Sequence, residues 1–158
     1  MSSQEIERKF LVSAWNPGYG VEPGANITQG YLCHDPEVRV RLYEKRAYLT
    51  IKANRSGSTR TEIELELDQV HQAELLLALC KDAVVTKTRF RVNSGEDLWE
   101  VDVYDGRNAG LVTAEIEVST ADHQVELPDW IGAEVTGDRR YDNASLARHP
   151  YAEWPHGD

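Results

Sequence analysis

Long apolar runs are missing from this chain, and no stretch approaches the roughly 20 consecutive apolar residues that span a bilayer. No membrane partner is therefore expected. The start, MSSQEIER, has neither the basic region nor the apolar run of a secretory signal, which points to a cytoplasmic protein. Cysteine is scarce: Cys33 and Cys80 are the two present, and their spacing fits neither a disulfide framework nor a zinc site. Both are expected as reduced thiols. His34, His71, His123, His149 and His156 are scattered and form no ligand pattern. No Gly-rich loop runs into Gly-Lys-Ser/Thr, which excludes an ordinary P-loop. Gly-x-Ser-x-Gly and His-Glu-x-x-His are absent as well. Positive charge is in deficit, with 17 Lys+Arg against 27 Asp+Glu and a net charge of -10. That excludes wrapping a long nucleic acid. It leaves room for a small polyanion in a locally cationic cleft.

What is present is a chain of 158 residues, 41% hydrophobic and 28% charged, suited to one domain with a real core. Its pattern is mostly period two. EIERKF near the start, ITQGYLC, EVRVRLYE, AYLTIKA, TRTEIELEL, VTKTRFRV, DLWEVDVYD and GLVTAEIEVS read as about eight strands. NSGE joins the sixth and seventh as a hairpin. Between the fifth and sixth, Val70, Ala73, Leu76, Leu77 and Cys80 recur at helical spacing, predicting a helix over 68–80 with Asp68 as its N-cap. A second short helix is expected in NASLARH, after Asn143. The domain is read as 1–148, followed by an irregular C-terminal tail, 149–158.

Successive side chains of a strand point to opposite faces, so each strand here has an apolar and a charged side. The charged side carries Glu5, Glu7 and Lys9, then Arg39 and Arg41, Lys52, and Arg60 with Glu62, Glu64 and Glu66. It continues through Lys87, Arg89 and Arg91, Glu100 and Asp102, and Glu115 and Glu117. An open antiparallel sheet with one wet face would accommodate this pattern. So would a barrel with its apolar side packed outward and its charged side lining the interior. Repeated arginine, where Ser, Thr, Gln or Lys would also serve an exposed sheet, counts towards the second arrangement, whose interior a polyanion would fill. Surplus carboxylates would suit a hard divalent cation. Periodicity alone does not choose between the two.

Glu5-x-Glu7-x-Lys9, followed in order by QGYL, VRVRL, LTIK, RTEIELEL, KTRFRV, WEVDVYDG, LVTAEIEV and EVTGDRRYDN, resembles the CYTH family of triphosphate tunnel metalloenzymes over nearly the whole chain. The likeness is greatest to the compact bacterial single-domain members. It implies an α+β fold: a closed eight-stranded antiparallel β-barrel with helices packed outside. It also implies divalent-metal-dependent hydrolysis of inorganic triphosphate to diphosphate and orthophosphate, with Mg²⁺ or Mn²⁺ as cofactor. Adenylate cyclase, nucleoside or thiamine triphosphatase chemistry is the alternative on the same scaffold, and a non-catalytic polyphosphate-binding module a further one. By resemblance, Lys9, Arg39, Arg41, Lys52, Arg60, Lys87, Arg89 and Arg91 bind substrate. Glu5, Glu7, Glu115, Glu117 and Asp102 match metal ligands. Lys9, Tyr31, Glu62, Glu64 and Asp102 match catalytic positions. Lys9 would balance the leaving phosphate, with an ion pair to a neighbouring acid as its plain structural role. Tyr31 matches a tyrosine beside that lysine in similar members. Tyr141 and Asn143 read as structural. The partner is a small phosphorylated substrate, and the protein itself a monomer or homodimer.

Overall fold

The computed structural model describes residues 6–54, 60–120 and 122–156, without the side chains of Asn54 and Arg60. Glu5 thus lies outside the described residues. The alternating segments form strands β1 (Ile6–Val12), β2 (Ala25–His34), β3 (Glu37–Tyr43), β4 (Arg46–Asn54) and β5 (Arg60–Leu67). Helix α1 (Val70–Leu79) follows, then β6 (Val84–Ser94), β7 (Asp97–Tyr104), β8 (Val112–Val118), the short β9 (Ile131–Glu134) and helix α2 (Asn143–Arg148). None of the described helices is long and apolar enough to cross a membrane.

All nine strands join one sheet in the order β5-β4-β3-β2-β6-β7-β8-β1-β9, and every pairing is antiparallel. Two-residue turns fix three registers. His34 pairs with Glu37, Tyr43 with Arg46, and Ser94 with Asp97. The last turn places Gly95 at φ 62°, where glycine has no steric penalty.

This architecture differs from the expected barrel in strand number and closure. The ninth strand, IGAE, is too short to show alternation, yet it pairs with β1 at Phe10 and Val12. Among the described residues β5 pairs only with β4, and the sheet is open between β5 and β9. Two local causes are visible. The side of β1 away from β8 is filled by β9 and the loop after it: Lys9 O accepts from Val135 N at 2.8 Å, and Lys9 N donates to Thr136 Oγ1 at 3.0 Å. The opposite edge, β5, carries Glu62, Glu64 and Glu66, whose like charges resist strand addition.

The apolar face packs outward in two groups, and a third apolar group closes one end of the inner face. Helix α1 lays Ala73, Leu76, Leu77 and Cys80 over Val40, Ala47, Leu42 and Leu49. Gln69 rather than Asp68 takes the N-cap position and makes no side-chain cap bond. Burial, not capping, holds this helix. Trp130 and Trp15 cover Phe10, Trp99, Val101 and Ile116. At one end, Leu146 and Ala147 of α2 pack with Tyr31, Val85, Tyr104 and Tyr141. The segment after α2 joins them: Tyr151–Glu153 is a 3-10 turn, and Trp154 packs edge-on to Tyr141 with centroids 5.1 Å apart.

α1 approaches β2 most closely at Gly30, where an added Cβ would lie 2.7 Å from Cys80 Sγ and 3.1 Å from Leu77 Cδ2. Gly30→Ala should therefore destabilise by about 1–3 kcal/mol through overpacking. The check is the urea midpoint at unchanged m-value, and an unaltered midpoint would show that the helix yields freely.

Candidate active site

The other face of the curled sheet encloses a cavity of about 1000 Å³. Strict alternation brings Glu7 and Lys9 of β1, Arg39 and Arg41 of β3, Lys52 of β4, Arg89 and Arg91 of β6, and Glu115 and Glu117 of β8 to its wall. Tyr31 of β2, Asp142 and Asn143 at the start of α2, and the acidic Glu37, Glu96, Asp97 and Glu100 also line it. Register sets the neighbours. Glu7 lies opposite Glu117, Lys9 opposite Glu115, and Arg89 opposite Asp102. A smaller cavity of about 220 Å³ shares Glu7, Lys9 and Asp142 and is otherwise walled by residues 135–138.

Under the wall lies a buried ionic group. Asp102 accepts from Lys87 Nζ at 2.8 Å and takes both arms of the Arg89 fork at 2.8 and 3.0 Å. Burial alone would raise the Asp102 carboxyl, but Lys87 and Arg89 outweigh it and hold the group well below the usual carboxylate range. Burial pulls the Lys87 ammonium down to about 8 against the pull of Asp102. Burial also disfavours the Arg89 cation, yet its hydrogen bonds to Asp102 keep it above its ordinary value. Lys87 also donates to Asn143 Oδ1 at 3.3 Å, which receives Tyr104 Oη at 2.9 Å.

A second group surrounds Lys9. Its Nζ lies 3.2 Å from Glu115 Oε1 and donates to the Tyr141 carbonyl at 3.1 Å. Glu7 is pushed up to about 8, first by a hydrogen bond with Glu115, then by burial and by repulsion from Glu115. Glu115 moves down, because its hydrogen bond with Glu7 and the charge of Lys9 outweigh its burial. The two carboxyls therefore titrate as a pair.

The third group is cationic. Arg41 Nε donates to Gln29 Oε1 at 2.9 Å, and Gln29 Nε2 donates to Tyr31 Oη at 2.9 Å. Fully buried Gln29 thus fixes both its neighbours. The Arg41 cation is disfavoured by burial and then by Arg39 and Arg89. Arg39 donates to Thr50 Oγ1 at 3.3 Å, while its Nε is buried with no hydrogen-bond partner. Buried like charges and an unmet donor are costly unless an anion joins them.

The expected residues are thus divided by the fold. Glu7, Lys9, Tyr31, Arg39, Arg41, Lys52, Arg89, Arg91, Glu115 and Glu117 meet at one cavity. Lys87 and Asp102 lie beneath it, buried against each other. Arg91 is half-exposed and 3.6 Å from Glu22. Glu62 and Glu64 are exposed on edge strand β5, where Glu64 accepts from Thr50 at 3.0 Å. The Arg60 side chain and Glu5 fall outside the description. Tyr31 bonds to Gln29, and Lys9 to Glu115 and Tyr141, so the two share the cavity through separate partners. Gln29, Thr50 and Asp142 were not anticipated. Gln29 had a signal, since it alternates with Tyr31 on β2 and so shares its face.

A CYTH domain model matches residues 3–151. An inorganic triphosphatase of Acetivibrio thermocellus is 41% identical over 150 residues, 94% of this chain and 96% of that protein. An inorganic triphosphatase of Nitrosomonas europaea is 35% identical over 150 residues, 90% of this chain and 96% of its own. A crystal structure of an inorganic triphosphatase superposes with TM-score 0.74 at 33% identity, covering 91% of this chain and 94% of the other.

Two outcomes follow from these groups. Asp102→Asn leaves Lys87 and Arg89 buried without their counter-charge and should cost about 3–5 kcal/mol in denaturant unfolding. A loss below about 1 kcal/mol would contradict the central role of the group. The second concerns pH in the presence of a chelator. Glu7 has a folded pKa near 8 against an ordinary 4.5. Its contribution to stability is full below the ordinary value and is lost as pH rises towards 8. Stability should therefore fall across that window, and Glu7→Gln should flatten the fall. An identical profile for both proteins would contradict the raised Glu7 pKa.

Proposed function

The chain belongs to the CYTH domain family, and from that premise we propose that it hydrolyses inorganic triphosphate to diphosphate and orthophosphate in the charged cavity, with Mg²⁺ or Mn²⁺ bound. The observation that carries the proposal is the pairing of Arg39 and Arg41, buried beside Arg89 and with the Arg39 Nε unmatched, inside a chain of net charge -10. Locally concentrated guanidinium in an acidic protein suits a small, highly charged phosphate chain. Similarity to two inorganic triphosphatases over nearly the full length supports the same substrate.

Phosphoryl transfer depends mainly on positioning and charge neutralisation. Arg39, Arg41 and Lys52 would grip the phosphoryl oxygens, with Arg89 held in place by Asp102. Of the three N–H donors on Lys9, Glu115 and the Tyr141 carbonyl take two, which leaves one for a phosphate oxygen. That arrangement suits neutralising charge on the departing phosphate.

The donor chemistry fits a divalent metal. Among the described residues no group of three or more His, Cys, Asp or Glu side chains is gathered as a complete ion site. Mg²⁺ usually needs only one or two carboxylates, with substrate phosphates and water supplying the rest. Glu7 and Glu115 titrate as a pair whose proton a cation could replace. Glu117 faces the same cavity, and Glu5 belongs to the same proposed set. When bound, the ion would offset phosphate charge and polarise a water. Asp102 already neutralises Lys87 and Arg89, and its part in this proposal is to position Arg89. Closure of the cavity by β5, bringing Glu62 and Glu64 opposite substrate, belongs to the same proposal.

A phosphate-release assay with triphosphate, diphosphate, ATP and thiamine triphosphate, each with Mg²⁺ and Mn²⁺, tests it. Triphosphate should yield equal diphosphate and orthophosphate, and a chelator should abolish turnover. Cyclic nucleotide from ATP, or undiminished hydrolysis without metal, would overturn the reading. Arg41→Ala should raise KM by roughly ten- to a hundredfold, the loss of one charge-assisted hydrogen bond. Lys9→Ala should lower kcat more than it raises KM, and a pure KM effect would make Lys9 another phosphate clamp.

A further inference from the structure

Asn143 begins α2 and lines the cavity, yet its side-chain oxygen points away from open solvent, into the ionic group beneath the wall. That oxygen receives Tyr104 Oη from β7 at 2.9 Å and Lys87 Nζ from β6 at 3.3 Å. Lys87 continues to Asp102 at 2.8 Å, and Asp102 grips the Arg89 fork at 2.8 and 3.0 Å. Lys87 also sits 5.5 Å from the centre of the Tyr104 ring, so the same tyrosine faces it with ring and hydroxyl. A continuous run of hydrogen bonds therefore leads from the cap helix to a cavity guanidinium.

We propose that Asn143 is a positioning residue for phosphate recognition, setting the Arg89 guanidinium through Lys87 and Asp102. The inference rests on the triphosphate reading of the cavity. An ammonium buried to zero exposure needs every acceptor it has. Without Asn143, Lys87 keeps Asp102 as its strong partner and is drawn towards it. The carboxylate then divides its lone pairs differently between Lys87 and Arg89, and the fork loses its fixed orientation. α2 does not depend on Asn143 for its seat, because Leu146 and Ala147 are buried at 0% and 2% exposure in the core beside it. Loss of this amide therefore acts on the site more than on the fold.

The test compares Asn143→Ala, Asn143→Asp and Tyr104→Phe with the parent protein. The measurements are triphosphate affinity by calorimetry with saturating Mg²⁺, kcat and KM, and thermal midpoint. Asn143→Ala should weaken affinity and raise KM by about five- to twentyfold, with kcat changed much less. Asn143→Asp keeps the accepting oxygen and should recover most of the affinity. Tyr104→Phe removes one donor to Asn143 while keeping the ring, and should shift affinity in the same direction by less. If Asn143→Ala fails to fold, the Tyr104→Phe affinity decides alone. An affinity within about twofold of the parent in Asn143→Ala overturns the inference, as does equal impairment of Asn143→Asp. A parent that binds triphosphate without hydrolysing it overturns only the hydrolase reading. A parent that binds none overturns both.

Discussion

Asp102 is the constraint on which the rest of the site depends. A cavity meant for a polyanion needs cations that are partly desolvated, and such cations repel one another in an empty protein. Asp102 resolves this from below. It sits almost fully buried, takes Lys87 on one oxygen and the Arg89 fork on both, and leaves Arg89 facing the cavity. The carboxylate is thus at once a counter-charge for its neighbours and the group that fixes the Arg89 fork. Its neighbours inherit their geometry from it: Asn143 meets the fold through Lys87, and Arg41 feels the charge of both Arg89 and Asp102.

Lys9 shows the same economy on the opposite wall. Read as an ion pair, it is satisfied, since Glu115 lies 3.2 Å away. Read as a substrate contact, it is also well placed, because it borders both cavities beside Glu7. The ion pair and the proposed substrate contact are compatible in one residue. An ammonium held by a carboxylate and a carbonyl keeps its orientation while awaiting a third oxygen. The acidic surplus of the chain is divided between the cavity wall and the outer surface. Much of it lies outside the cavity wall, as at Glu66 and Asp138, where Arg46 and Arg140 pair with it.

The strands and their faces were legible in the sequence because period two is written into each segment for five residues or more. The inward set from Glu7 to Glu117 follows from it directly. Closure was not legible. It depends on what meets the two edges, and the decisive contacts, Val135 and Thr136 on Lys9, come from a loop far along the chain. β9 is hidden for a related reason, since four residues carry too little pattern to show. Within the site, alternation separates inward from outward but is blind to depth. Lys87 and Arg89 look equivalent in KTRFRV, yet the first is sealed beneath the second. Asn143 was legible only as part of a terminal motif, because its partners lie on β6 and β7.

The strand order also fixes when, in the life of the chain, a site can exist. Two meanders, β2 to β5 and β6 to β8, are built almost wholly from neighbours in sequence and need little loop closure. The β2–β6 and β1–β8 pairings join distant segments and come at a greater entropic cost. Arg39 and Arg41 belong to the first meander, Arg89 and Asp102 to the second, and Glu7 and Lys9 to a strand that docks on β8 of the second. A nascent or partly unfolded chain therefore holds fragments of positive and negative charge, but no enclosure in which they converge. Ligand-binding competence is consequently a property of the completed topology alone, and a bound phosphate chain would select, from all compact forms, the one whose distant strands have met.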